Sequence, residues 1–329
     1  MNEARSALQQ AIVGFRLSQM ISVAAKLRLA DLLNERPMSL RDLAYATQTH
    51  EDSLYRLLRT LASYGIFAEE SDRSFRLTPQ ADLLRRDVAG SLRSSAEVVG
   101  ASWMWNSWGS LLHTVRTGET AFDHLHGKDT WTYFTENTEA SALFNRFMEE
   151  VSYPDARAVV EAYDFEGKTV VDVAGGQGVL LAAILDRNPT ARGVLFNLPH
   201  VIEAIQGELS NRLELVCGSF FDSIPSGGDV YVLKNILHDW DDRRAKQILA
   251  RCRDAMTTDA RLLVVENFVS GPNEPGKGKI ADINMMVRNG GRNRTEAELG
   301  DLLFASGFQV LRVMPTNGGP DLLEASLRS

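Results

Sequence analysis

The sequence predicts an α/β protein: a doubly wound, mostly parallel sheet preceded by an α-helical segment of winged-helix type. Three observations predict it. From Gly167 onward, apolar strand-like runs at 169–174, 193–197, 213–217, 229–234 and 261–266 alternate with helical patterns at 178–187, 199–208 and 242–256. That alternation is the mark of parallel strands joined by crossover helices. The first of these strands ends in a cluster of glycines. Near the amino terminus, two short helical patterns are followed by two short strand patterns, a helix-turn-helix with a β-hairpin.

Taken in order, residues 5–34 carry Ile12, Phe15, Leu17, Ile21, Ala24, Leu27 and Leu32 at helical spacing. Ser39 is a plausible N-cap for a helix beginning Leu40-Arg41-Asp42. Residues 51–62 form a second short helix that Tyr64-Gly65 would end. Ile66 to Ala68 and Ser74 to Thr78 read as the two strands of the wing. Residues 88–165 read as helical, rich in aromatic side chains such as Trp103, Trp108, Trp131 and Phe144. The expected domains are therefore a winged-helix-like segment over 1–90, a helical region over 91–165 and a ligand-binding sheet domain over 166–329.

Composition narrows the function. The 329 residues are 44% hydrophobic and 24% charged, ordinary for a globular chain, with a formal net charge of −8. An acidic balance argues against nucleic acid or an anionic membrane as partner. No run approaches the length of a membrane-spanning helix, and no apolar signal core opens the chain. Two cysteines, Cys217 and Cys252, form neither a disulfide framework nor a metal-ligand spacing. A reducing cytoplasm is the expected compartment.

The glycine turn is Val173-Ala174-Gly175-Gly176-Gln177-Gly178, entered from a strand containing Asp172 and left into an apolar helix. Strand, tight turn and helix bring backbone close to a nucleotide-like ligand. Leu181 stands where a dinucleotide fingerprint needs its third glycine, and no triphosphate loop is present. A second segment, Leu233-Lys234-Asn235-Ile236-Leu237-His238-Asp239-Trp240, runs from an apolar strand into a polar cluster. It places a histidine at the same carboxyl edge of the sheet. Histidine titrates near neutrality and can take a proton from a hydroxyl, with Asp239 or Glu266 to orient its ring.

These segments, together with Gly290-Gly291-Arg292-Asn293-Arg294-Thr295, resemble class I S-adenosylmethionine-dependent O-methyltransferases of the plant caffeate-type and bacterial antibiotic-pathway family. The resemblance implies a Rossmann-like methyltransferase sheet, S-adenosylmethionine as cofactor, a small aromatic substrate and a homodimer formed through the amino-terminal domain. It implies His238 as catalytic base, with Asp239 and Glu266 beside it. It implies Asp172, Gly175, Gly176, Gly178, Asn197, Leu198, Ser219, Phe220, Lys234 and Trp240 around the cofactor. It implies Phe144, Met148, Asn284, Met285 and Asn293 along the substrate pocket.

Three positions depart from the family pattern. Asn197 in Phe196-Asn197-Leu198-Pro199 and Ser219 in Gly218-Ser219-Phe220-Phe221 each replace an acid near the cofactor. Asn293 replaces the glutamate that flanks the base in the family. Losing a flanking carboxylate disfavours the charged imidazolium, so His238 is expected to be a weaker base. Two alternatives stay open: a relative that uses the bound cofactor for decarboxylation, hydroxylation or cyclisation, and a winged-helix DNA-binding sensor. The thin basic footprint of Arg56 and Arg59 speaks against the second. His124 and His126 have the spacing of a ligand pair but no third partner at helical spacing, so no metal is expected.

Overall fold

A computed structural model describes residues 2–205, 210–316 and 318–328. The chain divides into two compact units, the first formed by residues 1–106 and 138–150, the second by 107–137 and 151–329.

The first unit opens with α1 (Asn2–Lys26), followed after the left-handed Arg28 (φ 58°) by α2 (Leu29–Leu32). The single helical run expected over 5–34 is thus broken at Arg28. Next come β1 (Met38–Ser39), α3 (Leu40–Thr47), α4 (Glu51–Ser63), β2 (Phe67–Glu69) and β3 (Ser74–Leu77). Ser39 caps α3 by accepting the Asp42 N–H at 3.1 Å. Gly65 takes φ 76° just past α4. The wing is three-stranded, in order β1-β3-β2, because Met38 and Ser39 pair antiparallel with β3. Leu29, Leu43, Leu54, Leu58, Phe67 and Phe75 fill the core beneath it. After α5 (Pro79–Asp82), α6 (Arg93–Val99) begins at the amides of Ser94 and Ser95, both held by the Glu150 carboxylate. That satisfies donors a helix start leaves open.

The helical stretch expected over 88–165 resolves into α6, α7 (Ser102–Gly109), α8 (Leu111–Thr117), α9 (Ala121–His126), α10 (Thr130–Glu136) and the long α11 (Thr138–Ala162). The sheet of the second unit follows: β4 (Thr169–Val173), α12 (Val179–Arg187), β5 (Arg192–Asn197), α13 (Pro199–Ile202), β6 (Leu213–Cys217), β7 (Val230–Lys234), α14 (Asp242–Ala255), β8 (Arg261–Glu266), α15 (Lys277–Arg288), α16 (Glu296–Ala305), β9 (Phe308–Met314) and β10 (Asp321–Leu327). Of the helix expected over 199–208, α13 covers the first turn, and 206–209 lie outside the described residues.

The seven strands run β6-β5-β4-β7-β8-β10-β9. The first five pair in parallel, and β10 and β9 add an antiparallel edge. These last two strands were not expected from the sequence. Alternate residues feed opposite faces, as the strand period requires. Val171, Tyr231 and Leu233 pack with Ile248, Leu249 and Leu303, while Val170, Val232 and Val265 pack with Leu181, Ile184 and Val159. Among the described residues, no helix is long and apolar enough to cross a membrane.

Candidate active site

From β4 the chain winds outward through β5 and β6, and from β7 it winds the other way through β8. The order reverses between β4 and β7, and such a switch point opens a crevice at the carboxyl ends of the strands. Those two ends carry the glycine turn and the His238 segment.

In the glycine turn, Ala174, Gly176 and Gly178 all take positive φ, at 58°, 60° and 78°. At Gly175, a Cβ would lie 2.2 Å from Oδ2 of Asp172. The missing side chain is what lets the Asp172 carboxylate fold under the turn. That residue is 1% exposed, and neither carboxylate oxygen has a hydrogen-bond partner among the described residues. Burial pushes its pKa up to about 7, with Lys234 pulling the other way. Lys234, at the end of β7, is itself buried between Asp155 (3.2 Å) and Ser152 (3.2 Å) of α11.

Asn197 is buried at the end of β5, and its amide oxygen accepts the N–H of Leu198 at 2.8 Å. Ser219 accepts the Phe221 N–H through its hydroxyl at 3.2 Å. Both residues that replace family acids therefore bind local backbone. Phe220 stands edge-on to Trp240, with ring centroids 6.1 Å apart, and Phe221 lies nearer at 4.9 Å. Arg244 covers the Trp240 ring at 5.1 Å.

His238 sits in a 3-10 turn, Leu237–Asp239. Its side chain is 13% exposed, its Nδ1 is buried without a partner, and its Nε2 lies 3.7 Å from Oδ1 of Asp239. Burial, reinforced by the charges of Arg288, Lys234 and Arg294, drives the imidazole pKa down to about 3. The ring is thus held neutral and can accept a proton, but with its imidazolium disfavoured it is a weaker base than a free imidazole. Burial likewise raises Asp239 to about 6 and Glu266 to about 7. Glu266, the residue expected beside the ring, places Oε1 3.0 Å from the backbone N–H of His238. Its bond is to the main chain of the turn, and among the described residues Nδ1 of the ring has no hydrogen-bond partner.

Asn293 is buried and donates its amide to the Asn267 carbonyl at 3.0 Å, while its own N–H meets Asp282. Asn284 accepts the indole N–H of Trp108 at 3.2 Å, and Met285 is buried one residue on, in α15. Phe144 and Met148 belong to the first unit, on α11, where the Phe144 ring lies 6.2 Å from that of Phe147.

Four residues that shape this turn had not been singled out. Gly291 touches it so closely that a Cβ would lie 2.1 Å from the His238 carbonyl oxygen. Arg294, 2% exposed, donates to the carbonyls of Leu237 and Trp240 at 3.0 Å each. Asn289 donates to Asp239, and the buried Arg288 acts on both Asp239 and His238 through its charge. The double glycine and the second arginine of 290–295 were the visible signal.

Residues 108–309 match the O-methyltransferase domain family, and residues 9–87 match its dimerisation domain. The chain belongs to the O-methyltransferase family. This O-methyltransferase is 42% identical over 326 residues to phenazine O-methyltransferase PhzM of Lysobacter antibioticus, covering 97% of this chain and 95% of that one. It is 39% identical to the mitomycin biosynthesis 6-O-methyltransferase of Streptomyces lavendulae, covering 96% and 93%. Among solved structures, it resembles NcsB1 of neocarzinostatin biosynthesis, crystallised with S-adenosyl-L-homocysteine and 1,4-dihydroxy-2-naphthoic acid. The TM-score is 0.81 at 32% identity, covering 94% of this chain and 96% of that one.

The O-methyltransferase has the features a nucleoside-type cofactor needs at its switch point. Asp172 presents two buried acceptor oxygens with no partner among the described residues. Gly176 carries no side chain, and a Cβ there would meet nothing within 4 Å, so the turn leaves open space beside its backbone.

Proposed function

We propose that this enzyme methylates a hydroxyl of a small aromatic or polyketide-like molecule, using S-adenosylmethionine, with His238 as general base. One observation carries the reading: the His238 ring, 13% exposed, and the buried Asp172 carboxylate, which has no hydrogen-bond partner among the described residues, occupy the two strand ends of a single switch point.

Asp172, Gly175, Gly176, Gly178, Asn197, Leu198, Ser219, Phe220, Lys234 and Trp240 are the residues we assign to the cofactor. When bound, S-adenosylmethionine supplies an electrophilic sulfonium methyl. Asp172 supplies charge and acceptor oxygens, and Trp240 with Phe220 supplies an aromatic wall. His238 accepts the hydroxyl proton as the acceptor oxygen is alkylated. Asp239, whose carboxylate faces Nε2, stabilises the imidazolium that results. Much of the rate comes from holding the oxygen in a near-attack position. We assign Asn284, Met285 and Asn293 to the acceptor pocket. A polarizable methionine suits a flat aromatic ring.

The exposed apolar stripe of α1, with Leu8, Ile12 and Phe15 at 63%, 63% and 51% exposure, supports assembly into a homodimer through the amino-terminal domain. The two unpaired cysteines support a cytoplasmic location.

Incubation with methyl-labelled S-adenosylmethionine and a panel of hydroxyphenazines, naphthols and hydroxybenzoates tests the reading. Label on the acceptor oxygen, with one S-adenosylhomocysteine per product, supports it. Turnover of the acceptor with the cofactor unchanged would instead assign the non-methylating chemistry.

A further inference from the structure

We propose that His113, Glu119 and His124 form a site for a divalent transition-metal cation, separate from the reaction site. His113 stands on α8, His124 on α9, and Glu119 in the turn between them. Gly118 makes that turn possible with φ 76°. The set does not use the His124-x-His126 pair: the partners of His124 come from α8 and the turn, and His126 packs its ring 4.4 Å from Phe122 and 4.7 Å from Tyr133.

One ligand atom from each of the three residues lies within 4.8 Å of the others. Oε2 of Glu119 is 2.9 Å from Nε2 of His113. The two imidazoles stack with centroids 3.7 Å apart and planes 15° off parallel; since a ligating nitrogen needs the ion in its ring plane, one exposed ring must turn out of the stack for both to meet one ion. Ligand bonds to zinc are about 2.0–2.2 Å, so tetrahedral ligand atoms sit roughly 3.3 Å from one another. The remaining gap can be closed by side-chain torsions, since Glu119 and His124 are exposed and His113 is half-buried.

Two imidazoles and a carboxylate suit Zn²⁺, Co²⁺ or Ni²⁺ better than Mg²⁺ or Ca²⁺. Three protein ligands leave the fourth tetrahedral place for water. Both α8 and α9 pack on α15, the helix of Asn284 and Met285, so a bound ion would clamp the two helices behind that face.

The test uses chelator-stripped full-length protein. It is titrated with Zn²⁺ by calorimetry and with Co²⁺ followed by visible absorption. One cation per chain is expected. Affinity should fall in both His113→Ala and His124→Ala by no less than the roughly tenfold cost of losing even a supporting partner. Glu119→Gln should weaken binding, and His200→Ala should leave it unchanged. Circular dichroism of the metal-free variants confirms their fold, and Glu119→Gln decides the matter if either histidine variant unfolds. Failure of the wild type to bind either metal overturns the proposal. So does equal binding by wild type and the folded His113→Ala/His124→Ala double variant.

Discussion

The side-chain amide of Asn289 donates a 2.5 Å hydrogen bond to Oδ1 of Asp239, the same oxygen that lies 3.7 Å from Nε2 of His238. Asn289 thereby fixes the carboxylate that faces the proposed base. A hydrogen bond to a charged group contributes about 1.5–3 kcal/mol. We expect Asn289→Ala to lower kcat by about 10- to 100-fold. S-Adenosylhomocysteine affinity, measured by calorimetry, should stay near wild type. An unchanged kcat would remove Asn289 from the positioning of Asp239.

Asp172 should govern cofactor affinity. Its two oxygens are buried and have no partner among the described residues, so a bound ligand that donates to them gains charge-assisted hydrogen bonds. Asp172→Asn should weaken S-adenosylhomocysteine binding by about 10- to 150-fold, from about 1.5–3 kcal/mol. Calorimetric titration of both proteins checks it.

Gly291→Ala should damage the His238 turn from behind. The new Cβ would sit 2.1 Å from a backbone oxygen, which no side-chain rotation relieves. Overpacking of this kind costs about 1–3 kcal/mol. We expect a fall in Tm of several degrees, roughly 2–4 °C per kcal/mol at this domain size, and a loss of activity even in the folded fraction.

The ligand-free enzyme should lose stability as pH rises from 5 to 8. Asp172, Asp239 and Glu266 are pushed up to about 7, 6 and 7. Near pH 5 the folded chain therefore holds three protons that the unfolded chain has already released. Their contribution is complete below the ordinary carboxylate range and is lost as pH passes through 6 to 7. His238, at about 3, acts in the opposite sense: its contribution is present above 6.5 and lost as pH falls toward 3. Three groups outweigh one across this window. Thermal melts at pH 5.5 and 8.0 check the direction, and Asp172→Asn should flatten the slope.

Much of this was legible in local sequence. The five parallel strands, the glycine turn and the histidine turn each have their own short-range pattern, and the topology brings the two turns together without further information. What escaped depends on contacts between distant residues. Strand β9 buries Phe308 but exposes Gln309, Leu311 and Arg312 at the sheet edge, with Arg312 reaching Glu324 of β10, so it lacks the continuous apolar run of a central strand. Glu266 was recognised at its strand end, but its bond goes to backbone, which no side-chain pattern reveals. Gly291 and Arg294 matter because their segment folds back against His238 from more than fifty residues downstream. His113 meets His124 only because α8 and α9 lie side by side.

The central claim is that His238 takes the acceptor's proton. The most direct test compares methyl transfer by wild type and His238→Ala at saturating cofactor and acceptor, with S-adenosylhomocysteine binding measured on both. Removing a general base costs about 10²- to 10⁴-fold. The account predicts a fall in kcat of that order with cofactor binding retained. Methyl transfer by the variant at the wild-type rate would contradict it.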